Sequence, residues 1–159
     1  MIFVCLGTQI FQFDRLTKKL DELVEQGVVN DEIFAQIGAG NYLPKHYPFE
    51  KYIDKERFEE YQSKADLVIA HGGTGALIGA SKQGKNIIAV PRLAKYGEHV
   101  DDHQLQIVKV LEDEGYVRAV YDMEKLGSAI QEALDNPIKK IYQRESNIIG
   151  IIEQYIESL

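Results

Sequence analysis

The sequence predicts an α/β domain built on a parallel sheet with crossover helices. Three observations predict it. Short apolar runs of strand length alternate with helical patterns along the chain. A glycine-rich turn, His71-Gly72-Gly73-Thr74-Gly75, joins one apolar run to the next helix. At 159 residues the chain has the size of one domain, able to bury about two-thirds of its unfolded surface without staples. The alternation means parallel strands returning through crossover helices, a Rossmann-like arrangement.

Taken in order, the apolar run 2–6 reads as a strand, 13–26 as a helix and 32–38 as a second strand. Residues 39–53 contain Gly40, Pro44, Pro48 and the aromatics Tyr42, Tyr47, Phe49 and Tyr52, which suits turns and one short strand. A helix over 55–64 precedes the apolar strand 66–70, and the glycine turn then opens a helix over 75–83. Strand 86–90, a polar loop 91–100, helix 101–114, strand 116–120 and helix 123–134 complete the series. Residues 1–137 form the α/β domain on this reading. The stretch 138–159 follows Pro137 and sets Ile141, Ile148, Ile152, Tyr155 and Leu159 at helical spacing, widened by Ile149 and Ile156. Packing back on the sheet and docking on a partner are both open to such a stripe.

Composition narrows the function. Acidic residues outnumber basic ones 25 to 18, for a net charge of −7. No basic stripe interleaved with aromatics is present, which argues against nucleic acid and against direct adsorption to anionic lipid. The single cysteine, Cys5, lies in the first apolar run and reads as a small buried hydrophobe. No Cys/His spacing suits a metal. The opening run lacks a basic leader and is only a strand long, so the expected location is cytoplasmic.

In an open parallel sheet, ligands bind outside the carboxyl ends of the strands. Three loops there are informative: Gly7-Thr8-Gln9 after the first strand, the glycine turn after the fourth, and the stretch from Pro91 to Gln104 after the fifth. The glycine turn has the chemistry of an anion site. Its backbone can approach a ligand closely, and the N–H groups and positive dipole end of the following helix attract phosphate oxygens. A tight strand-to-helix turn with no ligand has the same glycines. Asp101 or Asp102 suits a helix N-cap, and His99, His103 and Gln104 beside them exceed what a cap requires.

Together, Gly7-Thr8, His71-Gly72-Gly73-Thr74-Gly75 and Glu98-His99-Val100-Asp101-Asp102-His103-Gln104 resemble the nucleotide-sugar-binding half of family 28 glycosyltransferases. More narrowly, the chain is similar to the small catalytic subunits of split bacterial polysaccharide glycosyltransferases. The resemblance covers about residues 1–135. It implies the carboxyl-terminal half of a GT-B fold, a UDP-sugar donor with no further cofactor and no required metal, and a lipid-linked glycan acceptor held by a separate membrane-associated partner. The product would be the repeat unit of an extracellular or capsular polysaccharide, made at the inner face of the membrane.

The resemblance also implies site residues. Gly7 and Thr8 would face the ligand, and Gly72, Gly73, Thr74 and Gly75 would offer N–H groups to the diphosphate. His103 and Gln104 would hold sugar hydroxyls, with Asp102 a further sugar or ribose contact and Arg92 on the same rim. The wider family places a ribose-binding glutamate where this chain has Gly79, which leaves Glu98, Asp102 or a backbone group for the ribose. An inverting transfer needs a base for the acceptor hydroxyl. His71 is the one candidate in this chain, and two-domain relatives place the base on the acceptor half, hence on the partner.

Two alternatives remain at this point. Gly73-x-Gly75-x-x-x-Gly79 also resembles a loosened dinucleotide fingerprint, with Arg92 facing an adenosine 2′-phosphate in an NADP-binding domain. A non-catalytic nucleotide-binding module is the other.

Overall fold

The computed structural model describes residues 1–143. In chain order the elements are β1 (Ile2–Cys5), α1 (Asp14–Glu25), β2 (Ile33–Gln36), β3 (Phe49–Glu50), α2 (Lys55–Lys64), β4 (Leu67–His71), α3 (Thr74–Lys82), β5 (Ile87–Val90), α4 (His103–Asp113), β6 (Arg118–Ala119) and α5 (Leu126–Asp135). The six strands form one sheet in the order β3-β2-β1-β4-β5-β6, every pair parallel. This is the α/β crossover arrangement the alternation predicts.

The four inner strands, β1, β2, β4 and β5, are buried throughout and almost wholly apolar because both faces of the sheet are covered. Side chains alternate across a strand, so Ile2, Val4 and Leu6 join one core with Leu67, Ile69, Leu16, Leu20 and Ile130. Phe3 and Cys5 join the other with Val68, Ala70, Leu77, Val108 and Leu111. Cys5 is buried as expected, and burial pushes its thiol up to about 12, which leaves it an inert packing group. Against the second core, Tyr61 stacks on Phe34 with ring centroids 4.0 Å apart, and Phe58 meets Phe3 edge-on at 5.2 Å. That face of α2 starts at Asp54, whose carboxylate accepts the Arg57 N–H at 2.8 Å.

Three differences from the expected elements have local causes. The fourth helix begins at His103 rather than at 101, because Asp101 and Asp102 turn their carboxylates onto the N–H groups of His103 and Ala94. The last strand keeps only two paired residues, opposite Ile88 and Ala89 at the sheet edge. The last helix is preceded by a 3₁₀ turn over Met123–Lys125.

Between β2 and β3 the chain returns without a helix. Residues 42–46 are instead tied to α1 by Asp21, which is 2% exposed. Its carboxylate accepts the Lys45 and His46 N–H groups and the Tyr42 hydroxyl. Burial pushes this carboxyl up, but the bonds from Tyr42, Lys45 and His46 outweigh it and hold it below the usual range.

The expected helix over 138–159 does not start at 138. Residues 138–143 carry no helix, and they lie back on the domain. The Ile138 N–H reaches Asn86 Oδ1, the Tyr142 N–H reaches the Ser81 carbonyl, and the Tyr142 ring is buried 6.1 Å from Tyr116. The rest of the stripe, Ile148 to Leu159, lies outside the described residues.

Leu16 tests the first core. It is fully buried between α1 and the sheet, so Leu16→Ala is expected to lower unfolding free energy by about 2–5 kcal/mol, measured by urea denaturation. A loss below ~1 kcal/mol would show that α1 does not close this face.

Candidate functional site

The strand order reverses between β1 and β4, which is where open α/β sheets leave a crevice outside the strand ends. Cys5 lies opposite Ala70 in the pairing of these strands. Gly7 and the glycine turn therefore leave the sheet side by side.

His71, the last residue of β4, sits between them and is 6% exposed. Gly7 turns with φ +79°, a conformation that favours glycine, and a Cβ there would lie 2.8 Å from His71 Nε2. On the other side a Cβ at Gly73 would lie 2.2 Å from His71 Cε1. The imidazole thus fills the space that two missing side chains leave. Burial, and next the Arg92 guanidinium, lower its pKa from 6.5 to about 4, so it is neutral near pH 7.

Helix α3 starts at this point. Its N-cap is Gly73, with no side chain to cap it, and the first helical bond runs from the Leu77 N–H to the Gly73 carbonyl. The N–H groups of Thr74, Gly75 and Ala76 precede the ladder and carry the positive end of the helix dipole. A cavity of about 480 Å³ lies in front of them, within the range of small-molecule sites. Its wall includes Gly7, Thr8, His71, Gly73, Thr74 and Gly75, together with Gln36, Ile53 and Phe58. No carboxylate lines it among the described residues, although the chain as a whole is acidic. Helix N-terminus, neutral histidine and apolar floor together suit an anionic ligand with an apolar or aromatic part.

The structure corrects four of the expected ligand contacts. The Gly72 N–H points away from the cavity and donates to Gln104 Oε1 at 2.9 Å. Gln104 is buried; its Oε1 also accepts the Arg92 N–H at 3.1 Å, and its Nε2 lies 3.2 Å from His71 Nδ1. That amide is spent on the protein rather than on sugar hydroxyls.

Arg92 is 1% exposed. Its guanidinium donates to the carbonyls of Leu6, Phe11, Gln12 and Glu98 and lies over the Phe13 ring at 4.9 Å. A guanidinium so bonded is turned away from any adenosine 2′-phosphate, which removes one of the two grounds for the NADP reading. Glu98 is fully buried, paired with Arg15 at 3.0 and 3.1 Å and accepting the Leu93 N–H. A carboxylate so placed has no hydroxyl of a ribose to meet.

His103 and Asp102 stay on the rim at the start of α4, off the cavity wall. His103 Nδ1 and His99 Nδ1 each lie 3.2 Å from a different oxygen of Asp101. No group of three metal-ligating side chains converges among the described residues. At Gly79 a Cβ would meet nothing within 4 Å, so space alone does not account for a glycine there.

Gln36 and Arg15 were not singled out from the sequence. Gln36 Nε2 donates to the Gly7 carbonyl at 2.9 Å and the Lys51 carbonyl at 2.8 Å, holding the first loop at the cavity edge. A glutamine closing the apolar run 33–37 was the available signal. Arg15 gave none, since a charged residue in the first turn of a helix is ordinary.

The model of the glycosyltransferase family 28 C-terminal domain matches residues 1–155. Two curated relatives are named UDP-N-acetylglucosamine transferase subunit ALG13. The Mus musculus protein is 29% identical over 131 residues and the Homo sapiens protein 30% over 125, covering 72% and 73% of this chain. The chain spans about a tenth of their length, 10% in each case. Among solved structures, the NMR structure of ALG13 aligns with a TM-score of 0.60 at 16% identity, over 99% of this chain and 95% of that one. Acinetobacter baumannii MurG gives 0.57 at 18%, over 97% of this chain and 49% of that one. Streptomyces nogalater SnogD gives 0.56 at 18%, over 98% and 39%. The fold is that of the carboxyl-terminal half of a GT-B glycosyltransferase.

Two expected outcomes check the assignment of side chains. Glu98→Ala, which strands the half-buried Arg15 guanidinium and the Leu93 N–H, should cost about 3–5 kcal/mol of stability by urea denaturation; a loss below ~1 kcal/mol would return Glu98 to the ligand contacts. The second concerns acid. An unfolded histidine takes up its proton near pH 6.5, whereas His71 resists it down to about 4. The unfolded state binds more protons in that window, so the contribution is full above pH 6.5 and is lost as pH falls to 4, up to ~3 kcal/mol. Wild-type stability should therefore fall more steeply than that of His71→Gln between pH 6.5 and 4, and parallel curves would place the ring in contact with water.

Proposed function

This chain belongs to the glycosyltransferase family 28 C-terminal domain family, and from that premise we propose that it is the donor-binding subunit of a two-chain, UDP-sugar-dependent glycosyltransferase. One observation carries the reading: the N-terminus of α3 and His71 converge on a single carboxylate-free cavity at the point where the strand order reverses. The name of the curated relatives supports UDP as the nucleotide.

The chemistry follows from where charge develops. Breaking the bond between the anomeric carbon and UDP leaves a growing negative charge on the diphosphate. The N–H groups of Thr74, Gly75 and Ala76 would meet it already oriented, which stabilises the transition state without reorganisation at the moment of reaction. His71 would add a neutral donor. In this reading that charge needs no metal ion to offset it. Ile53 and Phe58 would border the apolar side of the ligand.

His71 is a poor base in this setting. Its Nδ1 is engaged by Gln104 and its pKa lies near 4, far below what proton abstraction near neutrality requires. The base for an inverting transfer is accordingly assigned to the acceptor-binding partner. One finding supports a second chain: the curated relatives are named as a subunit. The partner would be membrane-associated and hold a lipid-linked glycan, and this chain would then work at the cytoplasmic face of the membrane through its partner. The resemblance to split bacterial enzymes points to a hexose added to the repeat unit of an extracellular or capsular polysaccharide.

Titration calorimetry with UDP, a panel of UDP-sugars and NADPH tests the donor site. UDP and at least one UDP-sugar are expected to bind and NADPH is not; an absence of UDP binding would overturn the reading. Gly73→Ala should weaken UDP binding at least tenfold, because its Cβ displaces the imidazole. Gly75→Ala, whose Cβ meets nothing within 4 Å, should keep the fold. Transfer by the isolated chain to a lipid-linked acceptor would refute the need for a partner.

A further inference from the structure

We infer that Gln104 is a positioning residue for the donor site: its side-chain amide holds His71 in the tautomer that carries the proton on Nε2, aimed at the cavity. A Gln amide has one end that only accepts and one that only donates, and the surroundings here decide which is which. Two backbone N–H groups, those of Gly72 and Arg92, converge on one atom at 2.9 and 3.1 Å. Neither can do anything but donate, so that atom is the oxygen. The opposite orientation would face an NH₂ group with two further donors and leave all of them unpaired in a buried place.

With the oxygen fixed, the NH₂ end lies 3.2 Å from His71 Nδ1. It donates, and Nδ1 accepts. A neutral imidazole carries one proton, and the nitrogen that accepts is the one without it. The proton is therefore on Nε2. That atom is turned toward the gap between Gly7 and Gly73, since a Cβ at either position would lie within 2.9 Å of it. Gly7, Gly73 and His71 all line the cavity.

The consequence is a donor that does not depend on a positive charge. A free histidine samples two tautomers and becomes charged in mild acid. This one offers a single N–H in one direction, and a second proton on Nδ1 would set two donors against each other. Gln104 also bonds to the backbone of the glycine turn and of the loop after β5, so the tautomer and the loop positions are set by one side chain. That Nε2–H would serve a diphosphate rests on the donor-site reading. The tautomer itself does not.

The test is the pair of ring nitrogen-15 shifts of His71 at pH 7, read in a long-range proton–nitrogen NMR spectrum and assigned by the signals that His71→Gln loses. The wild type is expected to show a protonated Nε2 and a bare Nδ1. In Gln104→Glu the oxygen facing Gly72 and Arg92 is kept, while the donor facing the ring becomes an acceptor. Nδ1 should then become protonated. A wild-type proton on Nδ1, or a bare Nδ1 in folded Gln104→Glu, would overturn the assignment. Should Gln104→Glu not fold, the wild-type spectrum decides alone.

Adding UDP to the wild type separates the two claims. A change at Nε2 larger than that at Nδ1 supports both. The stated tautomer with neither nitrogen responding to saturating UDP supports the role of Gln104 and overturns the donor-site reading.

Discussion

The pairing of β1 with β4 at the centre of the sheet is the constraint on which the site depends. These strands are distant in sequence but adjacent in space, in the register that sets Cys5 beside Ala70. The two chain segments that leave them, one at Gly7 and one at Gly72, have nowhere to go but past each other. A glycine on each side gives the room, and His71 takes it. Moving the register by one residue would turn His71 to the other face of the sheet and leave α3 pointing its N-terminus at an empty crevice.

Around that crevice the protein keeps its charges inside. Glu98 lies fully buried between Arg15 and the loop backbone, and Arg92 is spread over four carbonyls from two loops. Burial lowers the Arg92 pKa to about 10, with Glu98 acting against the fall, so the guanidinium remains charged near neutrality. Such groups add little net stability over an apolar core of the same shape. Their value is positional, since each fixes carbonyls or N–H groups that have no regular secondary structure to hold them. Gln36 does the same for the Gly7 carbonyl. The cavity wall is thus a set of loops tied at their backs, with the front left open.

Such an arrangement suits a subunit that must present a preformed anion site. Donors held in advance act without reorganisation, and neither the α3 N-terminus nor a neutral His71 depends on ionisation near pH 7. The rim differs from the wall. His99, Asp101 and His103 form an exposed to half-buried hydrogen-bonded series at the start of α4, and Ile10 and Val100 stand out at 85% and 73% exposure.

The sequence by itself determined the alternation of strands and helices, the parallel sheet, and the turn 71–75 as the glycine-rich entrance to a helix. These rest on local causes: apolar runs covered on both faces, and glycines where a backbone must turn sharply. It also brought Gly7, Thr8, His71, Gly73, Thr74 and Gly75 correctly to one place, because carboxyl ends of neighbouring strands share an edge. Only the tertiary structure decided which way the polar side chains of the later loop point. Arg92, Glu98 and Gln104 have the composition of a ligand rim, yet each turns inward: Arg92 to carbonyls as distant as Leu6, Glu98 to the Arg15 side chain and the Leu93 N–H, and Gln104 to the Gly72 and Arg92 N–H groups. Inward or outward is settled by which carbonyls and N–H groups remain unpaired once the loops are packed, and no property of the residues themselves records that.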